Sequence, residues 1–145
     1  MEDIKFKHLV PIQLRFSDFD SMGLVYNGVY LSFFDLGKSY YFNDVLPDMN
    51  AHKDMGVVVA KNYVNYFLPV YPNEKVAVET AVMEIGHKSI KLNQRLIDAE
   101  THEVKSFCET VVVGFDVKTR TSTVISDAWR KAISAFEGRD FTKTE

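Results

Sequence analysis

Tyr30-Leu31-Ser32-Phe33-Phe34-Asp35-Leu36-Gly37-Lys38-Ser39-Tyr40-Tyr41-Phe42 is the stretch whose reading decides the fold. Tyr30, Phe33, Phe34, Gly37 and Tyr41 follow the i, i+3, i+4, i+7, i+11 spacing of one helix face. Leu31, Leu36, Tyr40 and Phe42 widen the apolar stripe well past the arc of a surface helix. Something must wrap such a helix. Gly37 at its middle costs about 1 kcal/mol against alanine, which another backbone passing close would explain. Asn27 suits the N-cap, and a loop with Pro47, Asp48 and Asn50 ends the helix.

Outward from the helix the chain reads as strand. Before it, Val10, Ile12, Leu14 and Phe16 alternate with Pro11, Gln13 and Arg15, a period of two with one buried face. Pro11 lacks an N–H, so this strand belongs at an edge or is irregular there. After Gly56, residues 57–68, 75–85, 88–97 and 103–117 read as long strands, with a short one at 123–125. Val76, Val78, Thr80 and Val82 share a face, and Ile90, Leu92 and Leu96 alternate with Lys91, Asn93 and Arg95. Asp127 caps a short terminal helix carrying Trp129, Ile133 and Phe136, and the chain from about residue 138 reads as a frayed polar tail. The order predicts one α+β domain over residues 1–145, an antiparallel sheet of about five or six strands curled around a single helix.

Composition narrows the function. The chain has 145 residues, a net charge of −3 with both signs interspersed, and no basic footprint for nucleic acid. Its 11 Phe and 7 Tyr must fill a core, line an apolar pocket or pack an interface. The lone Cys108 falls in an alternating segment and reads as a buried thiol. The acidic start reaches no apolar signal segment and no run of about 18 apolar residues occurs, so a cytoplasmic protein is expected, with no membrane and no nucleic acid as partner.

The candidate chemistry lies between the first strand and the helix, in Asp18-Phe19-Asp20-Ser21-Met22-Gly23-Leu24-Val25-Tyr26-Asn27. A calcium loop starting at Asp18 would need an acidic or amide ligand where Met22 stands and a glutamate where Val29 stands, so calcium is rejected. An aspartyl-phosphate enzyme needs a parallel α/β sheet. His8, His52, His87 and His102 are scattered without zinc-ligand spacing and read as surface or turn residues, so no metal site is expected. From the residues alone, Asp18 and Asp20 divide evenly between turn formation and catalysis.

The stretch from Arg15-Phe16-Ser17-Asp18 to Tyr30-Leu31 resembles the signature of the hotdog-fold acyl-CoA thioesterases, in the 4-hydroxybenzoyl-CoA thioesterase branch. Val57-Val58-Val59-Ala60, Tyr66-Phe67-Leu68-Pro69, Gly86-His87-Lys88-Ser89 and Trp129-Arg130-Lys131-Ala132-Ile133 extend the likeness over most of the chain. The resemblance implies an acyl-CoA thioester hydrolase. Asp20 would be its catalytic carboxylate, as nucleophile or general base. The N–H of Asn27 would be the oxyanion donor, with Asp18 structural. It implies no cofactor, coenzyme A being part of the substrate, and a homodimer or homotetramer whose paired sheets run on into one. Coenzyme A carries phosphates, so Lys61, Lys88 and Lys91, with Ser89, are candidates at the pocket mouth; Tyr30, Phe33 or Phe34 would lie against the acyl group. Three other readings stand beside this one: a non-catalytic domain that binds an acyl or aromatic ligand, an acyl carrier protein thioesterase, and a dehydratase, which lacks a histidine at the helix start.

Overall fold

The computed structural model describes residues 4–46 and 55–143. β1 (His8–Ile12) leads through a 3-10 turn (Phe16–Asp18) and a second (Asn27–Val29) into α1 (Tyr30–Val45). β2 (Met55–Tyr66), β3 (Val76–Ile85), β4 (Ser89–Asp98), β5 (Val104–Asp116), a short β6 (Thr121–Ser122) and α2 (Asp127–Glu137) complete the chain. The loop expected around Pro47 lies outside the described residues. No helix among the described residues is long and apolar enough to cross a membrane.

All strands join one antiparallel sheet in the order β1-β3-β4-β5-β2, with β6 on β5. The β3–β4–β5 part is the meander that short turns predict. β2 crosses instead to the far side of β5, and β1 lies outside β3. The two strands flanking α1 thus form opposite edges of the sheet. Pro11 sits in β1, opposite Ala77, on the edge position its missing N–H favours.

α1 lies across the inner face. Tyr30, Phe33, Phe34, Gly37 and Tyr41 are all buried, as their spacing predicts. Phe34 joins Val10, Val76, Val78 and Leu96 in one core cluster; Tyr41 and Phe42 join Ile85, Ile90, Leu92 and Ile133 in the other. Leu31, Leu36 and Tyr40 instead remain exposed, so one chain wraps only part of the apolar stripe. Gly37 has a cause other than the expected backbone: a Cβ there would lie 2.5 Å from a Val78 methyl and 3.0 Å from Gln94 Nε2. The same Gln94 amide donates to the Phe34 carbonyl (2.9 Å) and to Thr80 Oγ1 (3.0 Å), tying helix to sheet.

Other sequence expectations change too. The short strand expected at 123–125 forms earlier, as β6 at Thr121–Ser122. The helix proper starts at Tyr30, so Asn27 opens the preceding 3-10 turn and makes no side-chain cap. At α2, Ser126 is the N-cap, accepting from the Trp129 N–H, and Asp127 is the first helical residue. His8 is buried, its Nε2 2.8 Å from Asp44 Oδ2, because it occupies an inward position of β1. The tail is anchored at Phe141, which is buried; its N–H donates to Ser134 Oγ, and its carbonyl accepts from Arg130.

Candidate active site

The acidic segment folds into a small antiparallel loop. Phe19 bridges Val25, the Asp20 N–H donates to the Leu24 carbonyl (2.8 Å), and the Tyr26 N–H donates to the Asp18 carbonyl (2.8 Å). Gly23 closes the loop at φ +77°, a left-handed conformation that glycine adopts without strain. Val25 is buried and anchors the loop by donating to the Val70 carbonyl, just ahead of β3.

The two carboxylates do different work here. Asp18 is 1% exposed, and both oxygens are engaged by Arg15: Oδ2 by the N–H (2.8 Å) and Oδ1 by the guanidinium (3.1 Å). It is a turn-holding group. Asp20 is exposed, and only Oδ1 is engaged, by the Met22 and Leu24 N–H groups at 2.9 and 3.2 Å. Among the described residues Oδ2 has no hydrogen-bonding partner.

Beyond the loop the chain passes Tyr26 into the 3-10 turn. The Val29 N–H returns to the Tyr26 carbonyl (3.0 Å), while the Asn27 and Gly28 N–H groups find no acceptor among the described residues. The first amides of a helical segment point outward unpaired and carry the positive end of its dipole. Gly28 lets the Tyr26 ring lie over it: a Cβ would fall 2.6 Å from that exposed ring and push it aside. Tyr66 at the end of β2 holds the turn from the other side, donating its hydroxyl to the Asn27 carbonyl (3.1 Å) with its ring edge-on to Tyr30 (centroids 5.0 Å apart). Burial raises the phenol pKa of both Tyr30 and Tyr66, keeping them as neutral donors. Tyr66 is a support that the sequence does not announce; its only signal there is an aromatic at the strand end.

The other candidates do not converge on this turn within one chain. Tyr30 and Phe33 are 3% and 5% exposed, packed with Val10, Ile12, Val76 and Val78 as core instead of facing a cavity. Lys61 stands opposite Val111, whereas its neighbour Asn62 faces α1 with the buried Thr110; Lys61 therefore projects from the outer face, away from α1. Ser89 pairs with Val113, which pairs with Val58. From Val58 to Tyr66 the strand runs roughly 25 Å at its usual rise, so Ser89 and Lys88 sit at the opposite end of the sheet from the Asp20 turn. Lys88 Nζ donates to Ser122 Oγ there (3.3 Å). Asp20 and Asn27 line neither the cleft between α1 and β2 nor the one beside Tyr63 and Phe107 on the outer face.

Cys108 is fully buried on the inner face of β5, and desolvation pushes its thiol pKa up to about 11, which makes it an inert core group. No cluster of three or more His, Cys, Asp or Glu side chains able to hold a metal ion occurs among the described residues.

Comparison with known proteins places the fold in a family. The family model of the Thioesterase-like superfamily matches residues 14–133, from just after β1 into α2. The acyl-CoA thioester hydrolase YbgC of Escherichia coli is 23% identical over 108 residues, 73% of this chain and 80% of that protein. The crystal structure of a thioesterase from Thermus thermophilus, complexed with coenzyme A and zinc, superposes with a TM-score of 0.79 at 28% identity, covering 92% of this chain and 96% of that one. A DHNA-CoA thioesterase from Staphylococcus aureus shares the fold at a TM-score of 0.78 and 21% identity, over 90% and 91% of the two chains. With most of its length matched, from the acidic loop through the wrapped helix to α2, the chain belongs to the thioesterase-like superfamily and has its hotdog fold.

Proposed function

We propose that this chain hydrolyses acyl-CoA thioesters to the free acid and coenzyme A. The observation that carries the reading is that one short loop carries both Asp20's exposed, half-engaged carboxylate and, at its exit, the unpaired N–H groups that open the Asn27–Val29 turn. The family membership and the coenzyme A bound in the Thermus relative support it.

In the reaction the thioester oxygen faces the Asn27 N–H, where developing negative charge meets an unpaired amide and the positive end of the helix. Asp20 Oδ2 either attacks the carbonyl carbon or takes the proton of an attacking water. The tetrahedral intermediate then collapses, the C–S bond breaks, and the coenzyme A thiolate leaves. On the nucleophilic route water next cleaves the mixed anhydride, freeing Asp20 and the acid. A thiolate is a good leaving group, so no strong general acid is required beside it.

The crevice would be completed by a second copy. β2 is a sheet edge with Val58, Val59, Tyr63 and Tyr66 exposed, and Leu31, Leu36 and Tyr40 of α1 stand uncovered. An unpaired edge of this length is a liability that pairing removes. Antiparallel pairing of β2 with its copy would bring the partner's far sheet end, and with it a second Lys88 and Ser89, toward the Asp20 turn. Sedimentation at micromolar concentration should give a dimer or tetramer; a monomer with full hydrolytic activity would overturn this assembly.

The test of the function is thiol release from a panel of aromatic, short branched and long aliphatic acyl-CoAs. At least one class should be turned over with a kcat/KM in the ordinary enzymatic range, above about 10⁴ M⁻¹s⁻¹. Tight binding with no thiol release across the panel would favour the non-catalytic binder.

A further inference from the structure

Lys38 occupies a position where a lysine is costly. It follows Gly37 on the buried side of α1, four residues on from Phe34, and is 5% exposed. Its Nζ is shielded from solvent and makes no hydrogen bond among the described residues. The nearest carboxylate, Asp35 Oδ1, lies 3.3 Å away one turn earlier, but Asp35 is 62% exposed. A single solvated counterion leaves the ammonium's three N–H groups short of acceptors, and a buried unpaired charge is expensive. Structural lysines escape this by extending to the surface; this one does not.

The same side chain forms part of a cleft of about 690 Å³ between α1 and β2. Phe42, Val57, Val59 and Val112 supply apolar walls, and Asp35, Ser39 and Asn43 add polar groups. That volume is ordinary for a small-molecule site, and apolar walls with few polar groups are the usual lining. Gly56, Val57 and Val59 of the edge strand β2 line one side of the cleft. Lys38 lies eight residues beyond Tyr30, on the order of 12 Å along the helix.

We propose that this cleft receives the far end of the acyl group and that Lys38 pairs there with an oxygen acceptor on it, a carboxylate being the best match. The inference rests on the hydrolase reading and narrows it to acyl groups of medium length carrying a terminal polar group. Lys38 is a specificity residue here and touches no reacting atom. An alkyl terminus would leave the ammonium with only the solvated Asp35 beside it, a hydroxyl would satisfy one N–H, and a carboxylate would supply two oxygens and the opposite charge.

The experiment compares acyl-CoAs of equal chain length ending in carboxylate, hydroxyl or methyl, across a length series, with wild type, Lys38→Met and Lys38→Arg. A hydrogen bond to a charged group corresponds to about 10–100-fold in rate or affinity. Wild type should therefore favour carboxylate over methyl by at least about tenfold in kcat/KM at one length. Lys38→Met should abolish that ratio, and Lys38→Arg should retain it. A ratio unchanged in Lys38→Met, or a preference for methyl at every length, overturns the proposal. A second measurement covers a variant that fails to fold: S-carboxyalkyl coenzyme A should raise the melting temperature of wild type more than the S-alkyl thioether of equal length, and equal shifts would refute the site. Wild type that cleaves no thioester refutes the hydrolase reading, while the thioether pair still decides Lys38.

Discussion

Asp20→Asn is expected to cut acyl-CoA hydrolysis by about 10³-fold, within the range for losing a positioned base, with little change in stability. The second half of that result is what makes the first informative. Oδ1 of Asp20 accepts from the Met22 and Leu24 N–H groups and so also holds the loop. Asparagine retains a carbonyl oxygen for both bonds, and only the ionised, unengaged oxygen is lost. Asp20→Ala removes the acceptor as well. It should lower stability by about 1–2 kcal/mol, two modest hydrogen bonds at an exposed turn, while losing activity to the same extent. Thiol release and thermal unfolding, measured on both variants, separate the two roles. Near-wild-type turnover in Asp20→Asn would remove the carboxylate from the mechanism. Asp18→Asn offers the contrast: both oxygens of Asp18 face Arg15 and are shielded, so that change should act on folding before chemistry.

How far the sequence could be read follows from what hydrophobic periodicity measures. It reports which side chains avoid water. Phe34, Tyr41 and the inward residues of β3, β4 and β5 were therefore legible, since burial is the only property their roles need. Strand order is a different quantity. Nothing in the alternation of β2 says that it crosses to β5 and not to β3, because either neighbour would bury the same face. Polar groups that turn inward defeat the pattern altogether: Gln94, Lys38, Arg130 and Glu137 are buried where apolar spacing reports nothing, and the partners of Gln94, Arg130 and Glu137 are remote in sequence. Asn27 failed as a cap for a local reason, since a 3-10 turn precedes the helix and moves its first α-helical residue to Tyr30. The separate tasks of Asp18 and Asp20 could not be derived from spacing, since both accept backbone N–H groups of the same loop; only resemblance divided them. Lys61, Lys88 and Ser89 were chosen by charge and polarity alone, which fix neither the face of a strand nor the end of a sheet.

Glu137→Leu should be the most damaging single change to folding, at about 2–6 kcal/mol, the sum of two stranded donors. Glu137 is the last residue of α2 and is 7% exposed. Its Oε2 accepts from the Tyr41 hydroxyl (2.6 Å) and from the Val82 N–H (3.0 Å). The second bond answers a gap in the sheet. β1 pairs with β3 only as far as His8 opposite Thr80, so Val82, two residues further along β3, has no β1 residue beside it. One carboxylate oxygen thus completes the β3 edge and holds α1 to α2. Burial and the adjacent carboxylate raise the Tyr41 phenol far above its ordinary pKa, so it remains the donor at any accessible pH. Leucine fills the space but leaves a hydroxyl and an amide unpaired in the core, at about 1–3 kcal/mol each. Glu137→Gln keeps an acceptor and should cost about 1 kcal/mol, the difference between a charged and a neutral acceptor. Tyr41→Phe combined with Glu137→Leu should cost less than the sum of the two, since the hydroxyl stranded in Glu137→Leu is then absent. Urea denaturation of wild type and these variants measures each contribution. Glu137→Leu within about 0.5 kcal/mol of wild type would mean that water, admitted at the helix end, satisfies both donors.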